Sequence, residues 1–197
     1  MNYLKQIENE LNRSGGIITT MYLRSKSIPR VYLTRLTREG KLKRIDRGIY
    51  ISKDGIYDEL FATQTKYPKI IFSYETALQL MNLTDKIPAK INVTVNKNYK
   101  FNKKPENLKV NYVNDEIYEL GVVDGESKFG NPVRFYSAER TLCDFIKNKS
   151  NMDSEVYLSF IKTYPSYKNR DIHTLFFIAQ KMNIVQEVQD IMELVYE

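Results

Sequence analysis

Eight side chains between residues 30 and 47 have the types and spacing to grip a nucleic acid. Val31, Thr34, Arg35 and Arg38 share one face of a predicted helix, with Arg30 at its margin. Arginine forks suit guanine edges or phosphates, while a threonine hydroxyl and valine methyls suit thymine. Lys43, Arg44 and Arg47 follow in a short basic hairpin, placed to reach phosphates or a narrow A·T-rich minor groove. This is binding chemistry; no bond need be made or broken.

Groups that would make or break bonds are few. His173 is the only histidine, which excludes multi-histidine metal sites, and no nucleophile elbow accompanies it. Cys143 falls among the core positions of its predicted helix, and no phosphate-cradling glycine loop is present. Asp115 with Glu116, and Asp124 with Glu126, lie in loop-like sequence, where acidic pairs usually stay solvated. A nuclease would need several carboxylates converging, which spacing alone does not provide. The expectation is a non-enzyme with no cofactor and no metal. A second basic patch, Lys97, Lys100, Lys103 and Lys104 interleaved with Tyr99 and Phe101, has the makings of a phosphate grip with stacking rings, although a solvated lysine loop is the commoner explanation of such a stretch.

The elements that must position the first eight residues are three helices and a hairpin. Tyr3, Leu4, Ile7 and Leu11 recur at helical spacing up to Gly15-Gly16, and Ile17-Ile18 read as a short buried strand. Thr19 or Thr20 can cap a second helix, and Ser25-Lys26-Ser27 turn the chain. A third helix is predicted from about Ile28-Pro29 to Gly40, with Pro29, Tyr32, Leu33 and Leu36 inward. Two β-prone runs then flank a three-residue loop, Asp46-Arg47-Gly48, forming a wing. The predicted module is a winged helix-turn-helix over residues 1–55.

Charge is concentrated in the same place. Residues 1–53 hold 12 Lys or Arg against 4 Asp or Glu, whereas the remaining residues hold 18 against 20. The whole excess of +6 therefore sits in the first quarter of the chain, pointing to a polyanion partner for that segment. One cysteine, no leader-like opening and no long apolar run suggest a cytoplasmic protein without a membrane span.

Residues 56–197 read as a second, mixed α/β domain ending in a helical region, which makes the fold class α+β. Ile56 to Lys66 is predicted helical with Leu60 and Phe61 inward, Ile70 to Phe72 extended, and Ser73 a cap for a helix through Met81. Ile91 to Val95 reads as a half-buried strand, with Lys109 to Val113 and Val133 to Tyr136 as further strands around a loop region, Gly121 to Asn131. Ser137 caps a predicted helix to Lys147 with Leu142, Phe145 and Ile146 inward, and amphipathic helices follow from Asp153.

The chain resembles the AbiEi antitoxin family of type IV toxin–antitoxin systems. The resemblance rests on Leu33-Thr34-Arg35-Leu36, Arg47-Gly48-Ile49-Tyr50, Ser73-Tyr74-Glu75-Thr76-Ala77-Leu78 and Tyr136-Ser137-Ala138-Glu139-Arg140-Thr141-Leu142-Cys143-Asp144, in that order along nearly the whole chain. It implies a repressor that binds inverted repeats in its own promoter through the winged helix. It further implies that the C-terminal domain opposes a nucleotidyltransferase toxin without a stable complex, in abortive infection and phage defence. Glu139, Arg140 and Thr141 would anchor structure rather than catalyse. A plain winged-helix regulator and a metal-dependent nuclease remain the alternatives.

Overall fold

The structure is a computed structural model that describes residues 2–103, 105–149 and 153–196. It divides into two compact units, one of Met1–Lys69 with Glu126–Val133, the other of Ile70–Gly125 with Arg134–Glu197. The fold is α+β, opening with a winged helix and continuing into a mixed unit with C-terminal helices. No described helix is long and apolar enough to cross a membrane.

In the first unit, α1 (Tyr3–Arg13) starts where the Asn2 side chain accepts a bond from the Lys5 amide, and it buries Ile7. The chain then enters β1 (Ile17–Thr19), and the Thr19 hydroxyl caps α2 (Thr20–Ser25) by accepting from the Tyr22 amide. The turn out of α2 places Ser27 at a left-handed φ of 55°. There the Ser27 amide reaches Arg24 O at 3.1 Å and the Ile28 amide reaches Leu23 O at 2.8 Å, so two orphan carbonyls are satisfied. This bond pair turns Ile28 inward against Leu23 and leaves Pro29 exposed, which corrects the expectation that Pro29 belongs to the buried face. Helix α3 accordingly begins at Val31, with Arg30 as its cap residue, and runs to Arg38.

Helix α3 ends in the same kind of motif, with Gly40 at φ +70° and the Lys41 amide bonded to Leu36 O at 2.9 Å. Strands β2 (Leu42–Asp46) and β3 (Ile49–Ser52) form the wing, and the sheet order is β1-β3-β2. Asp46 pairs directly with Ile49, so the loop has two residues, Arg47 and Gly48, rather than the expected three, and a bulge between Arg44 and Asp46 absorbs the difference. Ile7, Ile18, Leu23, Ile28, Leu33, Leu36 and Leu42 close the core beneath α3. Each such side chain contributes about 1.5–3 kcal/mol on burial.

Helix α4 spans Glu59–Lys66 and starts three residues later than its apolar spacing suggests. Asp58 stops it there: its buried carboxylate caps Phe61 and also accepts bonds from the Asn131 amide at 2.8 Å and from the Ser127 hydroxyl. Ala62 and Thr63 take the buried positions, while Leu60 and Phe61 are half-buried.

The second unit holds a five-stranded sheet of order β6-β5-β4-β8-β7, made of β4 (Ile71–Phe72), β5 (Ile91–Asn96), β6 (Leu108–Val113), β7 (Val122–Glu126) and β8 (Pro132–Tyr136). Strand β4 runs antiparallel to β5, with Ile71 opposite Thr94, and parallel to β8, with Phe72 opposite Phe135. Strand β5 is buried from Asn92 through Val95, so it is covered on both faces rather than half-buried. Strand β7 lies where the sequence reads as loop, because its Gly125 and acidic residues weaken the β signal. Helix α5 (Tyr74–Leu80) follows Ser73, whose hydroxyl bonds Thr94 at 2.9 Å instead of capping the helix. A short helix α6 spans Asp115–Tyr118.

Helix α7 (Ala138–Lys147) is buried continuously from Ala138 to Ile146 and packs with α8 (Ser154–Thr163), α9 (Ile172–Met182) and α10 (Val185–Tyr196) in one apolar core. Burial on every side forces its polar residues to find partners. Arg140 Nε lies 3.2 Å from both Asp144 carboxylate oxygens, and Nη1 donates to the carbonyls of Ile117 and Leu120. Glu139 accepts from the Asp171 amide at 3.0 Å and from the Tyr164 hydroxyl at 3.3 Å. Both residues thus serve as internal ties.

Three substitutions test these constraints. Gly40 has open space where a Cβ would stand, so Gly40→Ala should cost about 1 kcal/mol for the left-handed φ alone. At Gly48, φ +79°, a Cβ would lie 2.6 Å from Thr20 Oγ1. Gly48→Ala should therefore cost about 2 kcal/mol in urea unfolding, and the excess should disappear in a Thr20→Ala background. Arg140→Ala, which strands Asp144, should cost about 3–5 kcal/mol, with Arg134→Ala at the surface as the near-neutral control.

Candidate nucleic-acid interface

A cleft of about 410 Å³ lies beside α3 and the wing, and four of the predicted contacts, Arg30, Thr34, Arg44 and Arg47, line it. Arg30 reaches it from the cap of α3 and Thr34 from one turn further, while Arg44 and Arg47 come from the wing. The carbonyl of Gly48 accepts from the Thr20 amide at 2.8 Å, which ties the wing tip to the start of α2. Three guanidinium groups around one opening make a strong anion-attracting field. Arg44 Nε donates to Asp46 O at 3.1 Å, which holds that side chain along the wing.

The other predicted contacts sit outside the cleft lining. Val31 is 65% exposed at the first turn of α3, an apolar side chain presented to solvent. Arg35 is exposed and paired with Glu39 at 2.8 Å, and Lys41 joins the same carboxylate at 2.9 Å. Those hydrogen bonds, first from Arg35 and then from Lys41, hold the Glu39 carboxyl below its ordinary range. Arg38 and Lys43 are exposed. Thr20 and Tyr50 also line the cleft and were missed by sequence reasoning. The available signal was their adjacency to the Thr19 cap and to the wing glycine.

The second basic patch lies in the other unit. Lys97, Lys100 and Lys103 are exposed beside an edge-to-face pair, Tyr99 and Phe101, with ring centroids 4.8 Å apart. Lys104 lies outside the described residues. Among groups considered for catalysis, Cys143 is buried, and burial pushes its thiol up to about 12. His173 is exposed in the first turn of α9. Asp115 and Glu116 open α6, and Asp124 and Glu126 lie on β7. Among the described residues no three His, Cys, Asp or Glu side chains are grouped to hold a metal.

One ion pair supports the wing directly. Asp46 accepts from Lys66 Nζ at 2.6 Å and from the Arg47 amide at 2.6 Å, and the Lys66 bond is the main cause holding its carboxyl below the usual 3.8. A depressed carboxyl contributes stability that is present above the unfolded value and is lost as pH falls through the folded one. Both side chains are partly exposed, so the contribution should be no more than about 1 kcal/mol. Carbon-13 NMR of the Asp46 carboxyl should show a midpoint under 3.8 that rises toward it in Lys66→Met. An unchanged midpoint would show that the pair does not form.

Comparison with curated proteins yields no significant match. Among solved structures, the chain is similar in fold to the crystal structure of the RV2827C protein from Mycobacterium tuberculosis, with a TM-score of 0.52 and 10% identity. That similarity covers 93% of this chain and 76% of the other. The resemblance read from the sequence is matched independently at its N-terminal end: residues 5–53, which carry α1 to α3 and the wing, match the family described as transcriptional regulator, AbiEi antitoxin.

Proposed function

We propose that the protein is a DNA-binding antitoxin that represses its own operon by binding inverted repeats through α3 and the wing. The observation that carries the reading is the convergence of Arg30, Thr34, Arg44 and Arg47 on one cleft within the segment that matches the AbiEi regulator family. In the bound state Arg44 and Arg47 hold phosphates flanking the groove. Val31, Thr34, Arg35 and Arg38 face base edges, and Arg30 and Lys43 border the contact. For Arg35 to read a base it must leave Glu39, so its contribution to affinity is reduced by the exchange of one charged hydrogen bond for another.

The second unit counteracts a nucleotidyltransferase toxin, in the family pattern without a stable complex, and the protein acts in the cytoplasm as a binder rather than an enzyme. The internal ties of Glu139 and Arg140 support reading them as structural anchors rather than catalytic groups. A chain that regulated genes other than its own would share the first unit and lack a toxin gene beside it.

Footprinting on the DNA upstream of the protein's own gene tests this reading. A protected inverted repeat is expected; its absence with folded protein would sink the autorepressor reading. With about five phosphate contacts per module, log affinity should fall against log salt with a slope of about −4.5, and Arg47→Ala should flatten it by about one. Arg35→Ala should instead relax sequence preference, by about 1–3 kcal/mol at one base pair. Equal loss on every sequence would make Arg35 a positioning contact.

A further inference from the structure

A second cleft, of about 460 Å³, opens within the second unit, and its chemistry is unlike that of the first. Glu75, from α5, lines it with only 7% of its surface exposed, and the inner oxygen Oε2 is buried without a hydrogen-bond partner. Asn92, from β5, lines it at 2% exposure. Its Nδ2 donates to Lys90 O at 3.3 Å, which fixes the amide orientation and leaves Oδ1 buried and unpartnered. Two buried acceptors without donors are costly, at about 1–3 kcal/mol each. That cost is offset by a partner that brings N–H or O–H donors to both oxygens.

The rim has the opposite character. Lys90 and Lys109 line the cleft, are exposed and enter no ion pair among the described residues. Lys86 is already committed, at 2.7 Å from Asp153 and 3.1 Å from Glu155, so it braces the mouth rather than awaiting a ligand. Ile87 and Pro88 supply an apolar wall. Donors are therefore wanted inside, an anion at the edge, and a flat apolar surface between.

We propose that this cleft binds a small ligand carrying paired N–H donors on a flat ring and an anionic group beyond it, the pattern of a guanine nucleotide. The ring's N1–H and exocyclic amine form two parallel bonds to the Glu75 carboxylate, as a carboxylate accepts from any planar donor fork. A small outward turn of the Glu75 and Asn92 side chains, whose inner oxygens are closed to solvent, lets Asn92 Oδ1 take the remaining amine hydrogen, while Lys90 and Lys109 take the phosphate. An adenine ring offers a single exocyclic amine beside an acceptor, which would face the carboxylate unfavourably. The volume falls within the range of about 300–1,000 Å³ usual for small-molecule sites. This inference does not depend on the DNA-binding reading.

Calorimetric titration of the full chain with GMP, AMP, guanosine and inorganic phosphate tests it. GMP is expected to bind, with AMP at least about tenfold weaker, and Glu75→Gln should lower GMP affinity by about 10- to 100-fold. Lys109→Ala should weaken GMP while leaving guanosine unchanged, with circular dichroism confirming the fold of each variant. Failure of GMP to bind at millimolar concentration, equal binding of AMP, or unchanged affinity in Glu75→Gln would overturn the proposal. The GMP and AMP comparison on the unaltered chain decides the matter even where a variant does not fold.

Discussion

The antiparallel pairing of β1 with β3 is the constraint on which the N-terminal module depends. Ile17 lies opposite Ile51 and Thr19 opposite Ile49, so the strand between α1 and α2 is also the strand that anchors the wing. Thr19 caps α2 through its side chain, and the next amide, that of Thr20, bonds the wing carbonyl of Gly48. Helix start, strand pairing and wing tip are thereby determined by consecutive residues. A helix and a wing that were to straddle a groove would have to hold a set spacing, and a few backbone bonds set the spacing of α3 and the wing. The apolar residues beneath α3 then fix its rotation, which keeps Val31, Thr34, Arg35 and Arg38 outward.

Charge is handled differently in the two units. In the first, the arginines around the cleft remain at the surface, and the carboxylates near them, Glu39 and Asp46, are engaged by Arg35, Lys41 and Lys66. Local acids thus trim the positive field without cancelling it. In the second unit the principal arginine, Arg140, is buried against Asp144 with its guanidinium 4.0 Å above the Tyr136 ring. A buried pair of this kind gives little net stability but penalises any packing that separates its members. Rigid placement of α7, on which the helical core is assembled, is its contribution.

Much of the first module was legible because its signals are local. Gly40 ends a helix, Gly48 turns a hairpin, Thr19 caps the following turn, and apolar spacing marks the face of α3. The departures have physical causes of equal clarity. Ser27 takes a left-handed conformation that a glycine would have advertised, and this alone exchanges Ile28 for Pro29 in the core. Asp58 ends up capping α4 because its other oxygen is satisfied by residues about seventy positions away, which no local pattern reveals. Ser73 looks like a cap and is spent on Thr94. Strand β7 carries its acids outward and escapes a hydrophobic scan. As for the site, a helical wheel identifies a face but not reach: Arg30 and Thr34 line the cleft with Arg44 and Arg47, whereas Arg35 turns to Glu39. The pocket built on Glu75 and Asn92 leaves no trace in the sequence because two elements must meet to form it.

The claim that α3 and the wing together grip DNA is tested most directly by an amide-resolved NMR titration with duplex from the protein's own upstream region. The account predicts shift changes concentrated on residues 30–38 and 43–50, with both segments responding at the same DNA concentration. Changes confined to the second unit, or a response from α3 without the wing, would contradict it.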